Sequence, residues 1–129
     1  MTARILLVGA ALAVSLLSVG PALAAGDAAK GKKVFAKCRA CHKVDKPKNG
    51  VGPTLNGLFG RTAGTVEKYK YSKAMKAKGE EGLVWSEEIL AEYIVKPQTY
   101  VKGTKMTFRG LKKPEDIQNL IAYLKASGA

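Results

Sequence analysis

Cys38-Arg39-Ala40-Cys41-His42 gathers both cysteines and the single histidine of this 129-residue chain into one pentapeptide. Two thiols three residues apart can project from one face of a helical turn, and the histidine falls four residues after the first thiol, close to the same face. That geometry suits covalent haem attachment, in which each sulfur adds to a haem vinyl group and the imidazole is aimed at the iron. Other chemistry fits these residues less well. A structural zinc site needs four N or S ligands, and these three are packed too tightly to supply a tetrahedron alone. A thioredoxin-like dithiol needs its CxxC at the start of a helix in a strand-rich alternating pattern, and little of this chain reads as that. On the pentapeptide alone, a short disulfide across CxxC or two inert buried thiols stay open.

The elements that must position the pentapeptide are helical. Asp27 is placed to cap a first helix, on which Ala28, Gly31, Val34, Phe35 and Cys38 share one face while Lys30, Lys32, Lys33 and Lys37 fall largely outside it. A glycine in mid-helix costs about 1 kcal/mol relative to alanine, and close approach of another helix is the usual compensation. From Val44 to Gly64, Pro47, Asn49, Gly50, Gly52, Pro53, Gly57 and Gly60 argue for loops that need something to pack on. Ser72 caps a short helix over Lys73 to Lys78, closed by Gly79. Ser86 caps another, with Glu87 and Glu88 in its first turn, a staple between Trp85 and Leu90, and an apolar stripe of Ile89, Leu90, Tyr93 and Ile94. Pro97 stops it. Residues 98 to 110 read as an irregular strap, and Pro114 opens a last helix buried through Ile117, Leu120, Ile121 and Leu124. Strand signals are nearly absent, so the expected class is all-α.

His42 fills one axial position of a haem iron, and the sixth ligand separates an electron carrier from a haem that binds small molecules. Beyond the leader, the thioethers are Met75 and Met106. Met75 sits in a lysine-rich helix and reads as packing; Met106 sits in the glycine-flanked strap, where backbone can cross a haem face. A thioether is a soft, neutral ligand that favours ferrous iron and raises the potential. Met106 is the expected ligand.

Residues 1–24 read as a signal peptide that is removed: Arg4 supplies the positive start, Ile5 to Val19 is apolar, and Pro21-Ala22-Leu23-Ala24 ends in a small-x-small site. Cleavage is expected after Ala24 or Ala25. A membrane anchor competes, since the apolar run is near the lower limit for spanning. Residues 25–129 then make one small domain, for which a planar apolar group at its centre supplies much of the buried area. The whole chain has a formal charge of +12. That field favours acidic partners. Nucleic acid is not the expected one, because no recognition motif or interleaved aromatic pattern is present.

Taken together, Gly26-Asp27, Gly31-Lys32-Lys33-Val34-Phe35, the CxxCH, Gly52-Pro53, Gly57-Leu58-Phe59-Gly60-Arg61, Tyr71-Ser72, Trp85, Gly103-Thr104-Lys105-Met106 and Leu120-Ile121-Ala122-Tyr123-Leu124-Lys125 resemble class I cytochrome c, most of all a bacterial cytochrome c2. The match covers nearly all of the chain after the leader, in order. The resemblance implies the small class I fold of helices and loops around one covalent haem c. It implies thioethers at Cys38 and Cys41 and axial bonds from His42 and Met106. It also implies that the Pro53 carbonyl accepts the imidazole proton and that Arg61, Tyr71 and Trp85 hold the buried propionate. Tyr93 and Thr104 match positions near the methionine sulfur, and Gly31 and Phe35 match a crossing with the last helix at Leu120 and Tyr123. The chain departs from the mitochondrial branch at Met75, where an asparagine is usual, and at Glu80-Glu81-Gly82, which reads as an insertion.

The function expected is therefore a periplasmic, monomeric one-electron carrier rather than an enzyme. Lys37, Arg39, Lys43, Lys48, Lys96, Lys102 and Lys105 would ring the haem edge, with Glu80, Glu81, Glu87, Glu88 and Glu92 elsewhere, steering the edge toward acidic docking faces. The cytochrome bc complex, a reaction centre, a terminal oxidase or a periplasmic dehydrogenase chain are partners of that kind, met in transient contact at the membrane. Two alternatives are a haem enzyme or gas sensor with Met106 displaced, for which no distal acid–base pair is evident, and a structural protein with CxxC as a disulfide.

Overall fold

The helix that ends just before the pentapeptide begins where its cap predicts. In a computed structural model, which describes residues 25–129, α1 spans Ala28–Phe35 and the Asp27 carboxylate accepts from Lys30 N at 2.9 Å. The signal peptide expected over residues 1–24 lies outside the described residues. α2 (Lys73–Glu80), α3 (Glu87–Val95), α4 (Pro97–Tyr100) and α5 (Pro114–Ala126) follow. Among the described residues there is no strand, only an isolated antiparallel bridge between Thr62 and Val84. The fold is all-α, as expected. None of these helices is long and apolar enough to cross a membrane.

α1 and α5 form the scaffold. They cross at Gly31, where a Cβ would overlap the Asn119 carbonyl and stand 2.7 Å from Tyr123 Cβ. The glycine is the close approach that its mid-helix position predicts. Phe35 packs against Tyr123 in a tilted pair with ring centroids 5.2 Å apart, and Val34, Phe35, Ile117, Leu120, Ile121 and Leu124 are buried. Each such side chain contributes roughly 1.5–3 kcal/mol when fully buried. Asn119 is a buried polar residue that helical periodicity does not single out; its Oδ1 accepts from the Asp27 backbone N at 2.7 Å, which ties the entry of α1 to α5.

Two boundaries differ from the expectation. α2 does not close at Gly79 but runs to Glu80, with Glu81 as its cap. Gly79 is an interior glycine whose missing side chain admits the Ala63 carbonyl, and the left-handed residue that turns the chain is Gly82, at φ 95°. Pro97 ends α3 and also opens α4, so the strap begins with one helical turn and becomes irregular only from Val101. The caps at Ser72 and Ser86 form, accepting from Met75 N and Ile89 N, both at 3.1 Å.

Candidate functional site

The turns after α1 continue its hydrogen bonding: Cys38 N donates to Phe35 O at 2.8 Å, and both Cys41 N and His42 N donate to Cys38 O, at 3.1 and 3.0 Å. One turn therefore brings the pentapeptide to the edge of a cleft of about 900 Å³, solvent at its mouth included. Cys38 and His42 line the cleft, whereas Cys41 is half-buried and does not form its wall. No disulfide joins the two cysteines, and burial pushes the Cys38 thiol up to about 11 despite the neighbouring Lys37.

His42 is oriented by main chain. Its Nδ1 lies 2.8 Å from the Pro53 carbonyl, and a carbonyl can only accept, so the proton sits on Nδ1 and Nε2 keeps its lone pair. Burial pushes the imidazole below its ordinary range, more than that hydrogen bond raises it, which favours the neutral ring. Gly52 lies flat against the ring: a Cβ there would overlap it. The Gly52 N donates to Cys41 O at 2.9 Å, which fastens the loop to the pentapeptide.

Met106 reaches the same cleft from the strap. Its sulfur accepts from the Tyr93 hydroxyl at 3.2 Å, and its backbone N donates to the Thr104 hydroxyl at 3.2 Å. A thioether has two lone pairs, so one remains for a metal. Burial pushes the Tyr93 phenol up to about 12, opposed by the Thr104 hydroxyl, and Tyr93 is a hydrogen-bond donor throughout the ordinary pH range. Trp85, Tyr93 and Tyr100 form an edge-to-face series, with centroid separations of 5.1 and 5.9 Å.

Arg61, Tyr71 and Trp85 also line the cleft. Arg61 is clamped by the Asn56 and Thr54 carbonyls at 3.1 and 2.9 Å, and burial pushes its guanidinium down from the usual range, opposed by Tyr71. None of the three ion pairs among the described residues involves it. The Tyr71 hydroxyl accepts from Val66 N at 3.3 Å, which leaves its proton to donate. A half-buried guanidinium without a carboxylate partner, next to a free hydroxyl donor, fits an anionic group entering the cleft. With an oriented imidazole, a fixed thioether and mainly apolar walls, these residues fit a haem.

Nine of the ten expected site residues thus share one cleft, and the tenth, Cys41, stands beside it. Sequence reasoning missed Met75 as a wall residue: it is buried and faces the cleft. It missed Tyr69, which meets Tyr71 edge to face at 4.8 Å; the Tyr-x-Tyr alternation was the available signal. Of the basic residues expected at the edge, Lys105 lines the cleft, and Lys37, Arg39, Lys43, Lys48, Lys96 and Lys102 are exposed.

The profile of the cytochrome c family matches residues 28–127. The chain is 57% identical to a cytochrome c2 of Afifella marina over 98 residues, 75% of this chain and 79% of that one. It is 49% identical to the cytochrome c2 of Blastochloris viridis over 113 residues, 87% of this chain and 86% of that one. Among solved structures it resembles cytochrome cH from Methylobacterium extorquens with a TM-score of 0.70 and 45% identity, covering 78% of this chain and 99% of that one.

Proposed function

Because the chain belongs to the cytochrome c family, whose members carry one covalent haem c and transfer electrons rather than catalyse reactions, we propose that it is a soluble, exported one-electron shuttle with His42 and Met106 as axial ligands. The observation that carries this reading is the Met106 sulfur, held by the Tyr93 hydroxyl in the cleft that His42 lines. When bound, the haem supplies a reversible ferrous–ferric couple.

The chain's own residues do the rest. Cys38 and Cys41 would hold the haem through thioethers. His42 presents Nε2, its tautomer set by Pro53, and Met106 presents a neutral sulfur that favours the reduced state. His42 and Met106 would both hold the iron, which would leave no place on it for a substrate. Arg61, Tyr71 and Trp85 would hold a propionate of the haem, and Tyr93 and Thr104 keep the Met106 sulfur in place. Residues 1–24 direct export to the periplasm, and residues 25–129 are the working domain.

The exposed basic residues between Lys37 and Lys105 steer that domain onto acidic faces of redox complexes: a cytochrome bc complex, a reaction centre, a terminal oxidase or a dehydrogenase chain. Two measurements on the haem-loaded protein test this. Electrochemical titration is expected to give one reversible one-electron wave. Electron transfer with an acidic partner complex is expected to slow steeply between low and physiological salt; a rate indifferent to salt would remove the steering role.

A further inference from the structure

Residues 66–71 carry Tyr69 and Tyr71 into the cleft wall, although no helix or strand holds them. Side chains fasten the segment from two directions. From residues 49–54, which supply the carbonyl that orients His42, Asn49 Nδ2 donates to Glu67 O at 3.0 Å. The Tyr69 hydroxyl returns a bond to Val51 O at 2.9 Å. From the strap, Lys105 Nζ donates to Lys70 O at 2.9 Å, one residue before Met106. Asn49 is itself anchored, since its Oδ1 accepts from Thr54 N at 3.0 Å, next to Pro53. A continuous series of bonds therefore runs from the His42 loop through 66–71 to the Met106 strap.

The linking segment is tied to itself and holds one residue in a disfavoured conformation. Tyr71 OH accepts from Val66 N, and the Tyr69–Tyr71 ring pair joins its far end, so a displacement at Glu67 is passed to Lys70. Lys68 has φ 59°, the only positive φ at a non-glycine position among the described residues. Such a residue stays in place only while its surroundings impose it. A segment without ladder bonds, held in a disfavoured conformation, opens as its ties are cut.

We propose that Asn49 and Tyr69 are positioning residues for Met106: acting through residues 66–71 and Lys105, they set how readily the strap from Val101 to Leu111 opens. The consequence at the iron rests on the ligand reading above; the coupling of the two loops does not. If each bond were merely local, loss of the Asn49 amide or the Tyr69 hydroxyl would loosen residues 49–54 and 66–71 and leave the strap unchanged.

The test is amide hydrogen exchange of the strap in the haem-loaded protein, read at Thr104, Met106 and Leu111, whose N–H groups are bonded in the closed strap. Tyr69→Phe keeps the ring and removes only the hydroxyl; Asn49→Ala removes the other tie. Each is expected to speed strap exchange about three- to tenfold, the scale of one lost hydrogen bond. Asp27→Ala removes the cap of α1, which makes no hydrogen bond to the strap among the described residues, and serves as the control for general destabilisation. Lys105→Gln, combined with Tyr69→Phe, is expected to give a strap effect clearly smaller than the product of the two single effects, because both act through one path. Strap exchange no faster than in Asp27→Ala, or effects that multiply independently, would overturn the proposal. The far-red band of the ferric iron–sulfur bond, recorded on the same samples, separates the two claims: its absence from the parent removes Met106 as ligand, while its presence with a silent strap removes the coupling alone.

Discussion

The α1–α5 crossing and the two loop regions that build the cleft are held by different physics. At the crossing, apolar side chains from both helices are buried and a backbone carbonyl rests where Gly31 has no side chain. Around the cleft, residues 43–72 and 101–113 have almost no regular structure, and side chains bind main chain instead: Arg61 to the Asn56 and Thr54 carbonyls, Asn49 to Glu67, Lys105 to Lys70. Burial tolerates small shifts and resists large ones; single directional bonds fix an atom but contribute little energy each. The scaffold should therefore govern stability and the loops should govern the chemistry at the cofactor.

Three substitutions bear on that division. Gly31→Val drives a branched side chain into the Asn119 carbonyl and is expected to cost about 3 kcal/mol or more in thermal or denaturant unfolding, while the folded fraction keeps its reduction potential. Ile117→Ala empties a buried position on α5 that does not line the cleft, for an expected loss of about 2–4 kcal/mol and again an unchanged potential. Tyr93→Phe removes the donor to the Met106 sulfur, with an expected stability change of about 1 kcal/mol in either direction. Here the potential should fall, because the sulfur regains electron density that the hydroxyl had drawn away. A potential shift in Ile117→Ala as large as that in Tyr93→Phe would break the division between scaffold and loops.

What the sequence discloses follows the same line. Caps at Asp27, Ser72 and Ser86, the proline that opens α5 and the pentapeptide itself act within a few residues, so their chemistry is visible in the chain. Gly79 and Gly82 show the limit. Both are helix-stop residues by type, and only the Ala63 carbonyl, sixteen positions away, makes the first an interior contact and leaves the stop to the second. Asn119 and Asn49 are polar residues with no local signature, and each earns its role from a backbone group distant in sequence. The resemblance to class I cytochrome c pointed to long-range neighbours that periodicity could not: Pro53, Arg61 and Tyr93 all line the cleft with Met106.

The most direct test of the central claim is the visible spectrum of the oxidised, haem-loaded protein before and after Met106→Ala. Ligation by His42 and Met106 predicts a weak far-red band from the ferric iron–sulfur bond, present in the parent and lost in the variant. Covalent haem without that band in the parent, or a band that survives the substitution, would contradict it.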